Sequence, residues 1–123
     1  MDRDRLTHQV IGAAIEVHRH LGPGLLESCY EQCLVYELEK LGLNVQSQVC
    51  LPVNYKDLEI EGGFRIDLLI PEQLVIEIKS INDLKPVHTA QLLTYMKLAN
   101  IAKGLLINFN TIKLINGVKR LVL

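Results

Sequence analysis

Two short runs decide how this chain folds: Phe64-Arg65-Ile66-Asp67-Leu68-Leu69-Ile70 and Leu74-Val75-Ile76-Glu77-Ile78-Lys79, joined by Pro71-Glu72-Gln73. Both are rich in aliphatic residues, and the short turn-prone link suits a hairpin. If Ile70 pairs with Leu74, the rest follows by counting. Leu68 meets Ile76, Asp67 meets Glu77, and Ile66 meets Ile78. One face then reads Ile66, Leu68, Ile70, Leu74, Ile76 and Ile78, wholly aliphatic. The other carries Arg65, Asp67, Leu69, Val75, Glu77 and Lys79. A slip of one residue would mix these sets, so the pattern itself selects the register.

Outward from this hairpin the organisation is regular. A first helix is expected from about Asp4 to His20, with Leu6, Val10, Ala13, Val17 and Leu21 on one stripe. Gly22-Pro23-Gly24 ends it. A second helix is expected from about Leu25 to Leu41, its stripe made of Leu26, Tyr30, Cys33, Leu34, Leu38 and Leu41, with Gly42 as the stop. Val49, Leu51, Val53 and Tyr55 alternate as a half-buried strand would. Lys56-Asp57 turns the chain into a strand starting near Leu58, and Gly62-Gly63 marks a bulge or bend before Phe64. Pro86 opens a third helix that ends near Ala99. Its polar stripe is His88, Gln91 and Tyr95, and its apolar side is Val87, Ala90, Leu93 and Met96. Strands are expected at Gly104–Phe109, Ile112–Ile115 and Val118–Val122, with Asn116-Gly117 as a hairpin turn. The order α-α-β-β-β-α-β-β implies an α/β sandwich around a mixed sheet.

Length and composition bound the rest. The chain has 123 residues, 49% hydrophobic and 22% charged. That suits a single globular domain over 1–123, with a core large enough to fold without disulfides or a structural metal. No apolar run approaches the roughly 20 residues of a membrane span. The start, Met1-Asp2-Arg3-Asp4-Arg5, lacks the apolar stretch of a signal peptide, so a cytoplasmic protein is expected. Cys29 and Cys33, four apart on the second helix, read as buried small hydrophobes in a reducing compartment. The net charge is −1. That argues against a general duplex-coating protein, which would be basic. Lys97, Lys103, Lys113, Lys119 and Arg120 give the C-terminal third a basic bias, and a local patch is enough to hold a nucleic-acid backbone.

The hairpin also carries chemistry. Opposed residues of a strand pair have Cβ atoms about 4.5–5.5 Å apart, so Asp67 and Glu77 repel unless something positive lies between them. Lys79 shares the face of Glu77, two residues on. A divalent cation is the other candidate, and magnesium, held by one or two carboxylates plus water and substrate oxygens, suits the geometry. Taken alone, Val75-Ile76-Glu77-Ile78-Lys79 would equally serve as an amphipathic strand with a solvated face. Glu27, in the first turn of the second helix, alone reads as an acid favoured by the helix dipole. Tyr30 either orients Glu27 or belongs to the core. His8, His18 and His20 have no acids placed with them as co-ligands.

Asp67, nine intervening residues, then Glu77-Ile78-Lys79 resembles the Asp…(Asp/Glu)-x-Lys core of PD-(D/E)XK nucleases, with Ile66 where that superfamily often has proline. Gly24-Leu25-Leu26-Glu27-Ser28-Cys29-Tyr30 reads as G-x-x-E-x-x-Y. With Gln91-Leu92-Leu93-Thr94-Tyr95 and Gly104-Leu105-Leu106-Ile107-Asn108-Phe109, the chain resembles the GxxExxY family of that superfamily nearly end to end. The resemblance implies a restriction-endonuclease-like core and a metal-dependent nuclease acting on DNA or RNA. Asp67 and Glu77 would hold Mg²⁺ or Mn²⁺, with the Ile78 carbonyl and Glu27 as further ligands. Lys79 would position the attacking water or stabilise transition-state charge. Gln91 and Tyr95 would reach the site or the substrate backbone, with His88 the least defined of that stripe. The alternative is a non-catalytic nucleic-acid- or protein-binding module that retains the fold. The small size points to a homodimer or a partner protein.

Overall fold

In a computed structural model the described residues are 4–123, so the charged start at 1–3 lies outside them. The elements are α1 (Arg5–Leu21), α2 (Glu27–Lys40), β1 (Gln46–Tyr55), β2 (Leu58–Ile70), β3 (Leu74–Lys79), α3 (Pro86–Ala99), β4 (Lys103–Asn108), a 3-10 turn (Leu114–Gly117) and β5 (Val118–Val122). The sheet order is β1-β2-β3-β4-β5. Only β3 and β4 run parallel, because α3 crosses over between them; the other neighbours are antiparallel. This is the mixed α/β architecture expected from a restriction-endonuclease-like fold, in the expected element order. No described helix is long and apolar enough to cross a membrane.

Two apolar layers sandwich the sheet. Under α1 and α2, Val10, Ala14, Val17, Tyr30, Leu34 and Leu38 pack on Leu68, Ile70, Leu74, Ile76 and Ile78. Beneath α3, Leu92, Met96 and Ile101 pack on Leu69, Val75 and Leu106. Covered on both sides, β3 is buried from Leu74 to Ile78, as a central strand must be. Gly104 lets α3 come close: a Cβ there would sit 2.5 Å from the Met96 sulfur and 3.2 Å from Leu92.

Several sequence expectations need correction. The helix α2 begins at Glu27, so Leu26 precedes it, and Leu41 follows its end; both are exposed, at 77% and 49%. The half-buried side of α3 is the His88–Gln91–Tyr95 stripe, together with buried Leu92 and Met96, whereas Val87 and Ala90 face outward. A short helix is aimed by the residues that fill the space over Gly104, and here those are Leu92 and Met96. The segment Ile112–Ile115 is not a strand: Ile112 is 93% exposed and the 3-10 turn begins at Leu114. Asn116-Gly117 belongs to that turn and makes no two-residue hairpin. A Cβ on Gly117 would lie 2.3 Å from the Asn108 carbonyl oxygen, so close packing, not a type I′ turn, accounts for this glycine. Cys29 and Cys33 are only half-buried, so neither is a fully buried core residue. The Gly62-Gly63 bulge does form. Between Leu51↔Phe64 and Val53↔Ile60 the register slips, Gly62 has φ +63°, and Gly63 lies against Val53.

Candidate functional site

The ladder between β2 and β3 keeps the register read from sequence at Ile70↔Leu74, Leu69↔Val75 and Leu68↔Ile76, and stops there. On the other side of β2, the β1 ladder skips Gln48 and Asp67, where Gln48 adopts a left-handed φ of +53°. The strand is therefore out of the ladder on both sides at Asp67. Side chains take over the lost backbone bonds. The Asp67 N–H donates to Glu77 Oε2 at 3.0 Å, and the Ile78 N–H donates to Asp67 Oδ2 at 2.9 Å. Each carboxylate thus satisfies backbone that the parted strands leave unpaired. The change also reorients β2. Ile66, expected on the same face as Leu68, instead joins Phe64, Leu69 and Val75 beneath α3.

This arrangement leaves two carboxylates together where the sheet interior opens. Glu77 is only 4% exposed, while Asp67 is half-buried. Burial first, and the Asp67 charge second, push the Glu77 carboxyl up to about 8, against a smaller pull from Lys79. Lys79 stands at the end of β3, beside Asn108 of β4, and its carbonyl accepts the Phe109 N–H at 2.9 Å.

Three further segments converge on the opening. The first is the turn before α2. Gly24 takes a left-handed φ of +98°, which favours glycine. The Tyr30 hydroxyl donates to the Gly22 carbonyl at 2.6 Å and accepts the Leu25 N–H at 3.0 Å. Its buried ring stacks on Phe109 at 4.4 Å. Tyr30 is thus a core residue that braces the turn, and it has no bond to the Glu27 carboxylate. Ser80 completes the tie: its hydroxyl donates to the Leu25 carbonyl at 2.6 Å, and its N–H donates to Glu27 Oε2 at 3.2 Å. So Glu27 lies beside the end of β3.

The second segment is the loop after β3. Asn108, 2% exposed, accepts the Ile81 N–H at 3.1 Å and donates to the Ile81 carbonyl at 2.9 Å, which pins the chain just past Lys79. The third is α3. Tyr95 packs its ring 5.1 Å from Phe64, with Gln91 one turn before it on the helix. Burial, then the Glu77 and Asp67 charges, raise its pKa, which puts it within electrostatic reach of both carboxylates. His88 sits two turns before Tyr95 and accepts the Lys85 N–H at 2.9 Å as a helix-capping contact. His18 lies away from this opening, held by the Thr111 carbonyl at 2.8 Å, and His20 pairs with Glu16.

The resulting cleft has a volume of about 630 Å³ and is walled in part by Glu27, Glu31, Gln48, Arg65, Asp67 and Ser80. Sequence reasoning missed four of these. Glu31 is one helical turn beyond Glu27, and that i, i+4 spacing was the available signal. It accepts a 2.7 Å hydrogen bond from Gln48, and burial raises its pKa, with the Asp67 charge adding to the effect. Arg65 shares the expected face of Asp67, two residues earlier, and that was its signal; Gln48 and Ser80 had none beyond their neighbours. Asn108, a polar residue in an otherwise apolar strand, was legible as an oddity but not as a clamp.

The donors offered are carboxylate and carbonyl oxygens, the set that hard divalent cations prefer. Asp67 and Glu77 each spend one oxygen on backbone and leave the other available. Among the described residues no three His, Cys, Asp or Glu side chains form a ready-made cage. Any cation held here would therefore take part of its coordination from outside the chain.

No curated protein and no solved structure matches this chain. A family model does, described as the PD-(D/E)XK nuclease superfamily, over residues 4–121. Those residues reach every strand of the sheet and include the whole of the cleft. The chain belongs to the PD-(D/E)XK nuclease superfamily.

Proposed function

We propose that this protein is a metal-dependent nuclease that hydrolyses phosphodiester bonds of nucleic acid, within the GxxExxY branch of its superfamily. The observation that carries this reading is the parting of β2 from β3, which leaves Asp67 and Glu77 side by side with Lys79 at the strand end. A buried carboxylate beside a second one needs a proton or a cation, and the high pKa of Glu77 expresses that need. Asp67 and Glu77 would hold Mg²⁺ or Mn²⁺, with the Ile78 carbonyl, and with Glu27 directly or through water. Such an ion neutralises a scissile phosphate and lowers the pKa of bound water.

The chain's own groups do the rest. Lys79, anchored by β4, presents its ammonium to the attacking water or to the charge that builds on the phosphate in the transition state. Glu27, fixed by the Ser80 N–H, limits how far the opening can widen. Gln91 and Tyr95 approach from α3, where they orient the carboxylate pair and help exclude water. The G-x-x-E-x-x-Y stretch supports the branch assignment through its local roles: Gly24 makes the turn, Tyr30 braces it, and Glu27 reaches the cleft.

The test is cleavage of labelled DNA and RNA, single- and double-stranded, by the purified chain with Mg²⁺ or Mn²⁺ and with EDTA. Metal-dependent cleavage by the wild type, lost in Glu77→Gln, supports the reading. Nucleic-acid binding with no cleavage under any of these conditions would leave the non-catalytic module in its place.

A further inference from the structure

A polyanion entering this cleft meets the carboxylates of Glu27, Glu31 and Asp67 on its walls, backed by Glu77. Something must offset them, and neither Lys103 nor Arg120 of the C-terminal third lines the cleft. Lys103 and Arg120 both bind the Asp4 carboxylate, at 3.1 and 3.0 Å. Lys103 starts β4, whereas the cleft lies at the other end of that strand, where Asn108 pairs with Lys79. At about 3.3 Å per residue, that separation is roughly 16 Å.

Arg65 is differently placed. It lies two residues before Asp67 on β2, is exposed, and is the one cation among the described residues that line the cleft. It lies within electrostatic reach of Glu31 on α2 and of Tyr95 on α3. Yet among the described residues its guanidinium makes no ion pair and no hydrogen bond. Its five N–H donors are therefore available in a fixed fork that matches phosphate oxygens.

We propose that Arg65 grips a backbone phosphate of the nucleic-acid strand entering the cleft, and so positions that strand over Asp67 and Glu77. Arg65 is thus a positioning residue. Because a phosphate carries no sequence information, the contact serves DNA and RNA of any sequence alike. The inference rests on the nuclease reading above, and the test separates the two.

The experiment is fluorescence anisotropy of a short fluorescein-labelled single strand, as DNA and as RNA. It is titrated with the full chain in calcium over a range of salt concentrations. Arg65→Ala raises Kd about tenfold for both strands, as expected for a lost phosphate contact. It also makes the slope of log Kd against log salt shallower by about 0.7, the loss of one neutralised phosphate on a single strand. Arg65→Lys recovers the slope but only part of the affinity, since its ammonium keeps the charge without the fork, a split that a purely structural role would not produce. Lys56→Ala, in the β1–β2 turn outside the cleft, leaves both values unchanged. Arg65 is exposed, so thermal melts of its variants match the wild type. Wild-type binding that is unaltered in Kd and slope by Arg65→Ala overturns this inference alone. An equal loss in Lys56→Ala overturns it too, because diffuse charge would then explain the binding. A wild type that binds neither strand overturns this inference, while the cleavage assay on single- and double-stranded substrates decides the nuclease reading separately.

Discussion

The two ends of the β2–β3 hairpin differ in what joins them. From Leu68 to the turn the strands are zipped by backbone hydrogen bonds and are buried on both faces. From Asp67 outward they are linked through carboxylates that reach across to the opposite backbone. The closed end is a packing device whose stability comes from apolar area and ladder bonds. The open end gives up ladder bonds and buries charge, a combination that costs stability unless a proton, a lysine or a cation compensates. The lesson is that this sheet creates its reactive position by ending a ladder early, inside the core.

Substitutions at the two ends should therefore fail in opposite ways. The largest effect is expected on cleavage. Glu77→Gln and Lys79→Ala should each lower Mg²⁺-dependent cleavage by at least about 10²-fold, the scale for removing one group that stabilises transition-state charge. Circular dichroism should stay as in the wild type. Cleavage that persists in both purified variants, after controls for contaminating nuclease, removes the open end as the catalytic centre.

At the closed end, Ile76→Ala should instead cost about 2–5 kcal/mol of stability, the range for emptying a fully buried aliphatic site. Urea denaturation measures it. A loss under about 1 kcal/mol would mean that this part of the sheet is not the rigid half of the comparison.

The open end should also respond to pH. The Glu77 carboxyl titrates at about 8 in the folded chain and near 4.5 in the unfolded one. Its folded pKa is the higher of the two, so the folded state holds the proton more tightly. The associated stability is complete below about 4.5 and is lost as pH rises through 8. In EDTA the wild type should therefore weaken between those values by a few kcal/mol, since each pKa unit is worth about 1.4 kcal/mol. Glu77→Gln should flatten that slope. A wild-type stability that is level from pH 5 to 9 contradicts the picture of a strained, buried acid.

How far this was readable from sequence differs between the same two ends. The alternation of aliphatic residues from Leu68 to Ile76 has one solution in register, and the ladder adopts it. Ile78 keeps the expected face, but extending the count to Ile66 failed, because period-2 counting assumes a continuous ladder. Nothing in Ile66-Asp67-Leu68 says that the ladder stops. The Asp67–Glu77 pairing was legible as two acids drawn together, but not as two acids bonded to each other's backbone. Glu31 escaped because a single acid on an exposed helix reads equally well as a solvated charge. Its partner Gln48 lies on another element, and only the tertiary fold brings them together. The 109–117 connection was misread for a related reason. Asn116-Gly117 has strong local turn chemistry, yet close packing of Gly117 against Asn108 decides its conformation.

The smallest expected change is that of Asp67→Asn without metal. Asparagine keeps an acceptor for the Ile78 N–H and removes one of two like charges, so stability above pH 8 should rise by about 0.2–1 kcal/mol. Thermal melts in EDTA at pH 9 would detect it, and a clear fall would mean that the Asp67 charge is already neutralised by its surroundings.

The same pair of proteins supplies the most direct test that the open end is a cation site. Wild type and Asp67→Asn are melted in EDTA and again in millimolar Mg²⁺ or Mn²⁺ at neutral pH. A ion that binds only the folded state stabilises it by mass action, by about 2.7 kcal/mol when present at a hundred times its dissociation constant. The account predicts that metal raises the wild-type Tm and that Asp67→Asn loses this shift. Equal shifts in the two proteins would put the cation elsewhere and contradict it.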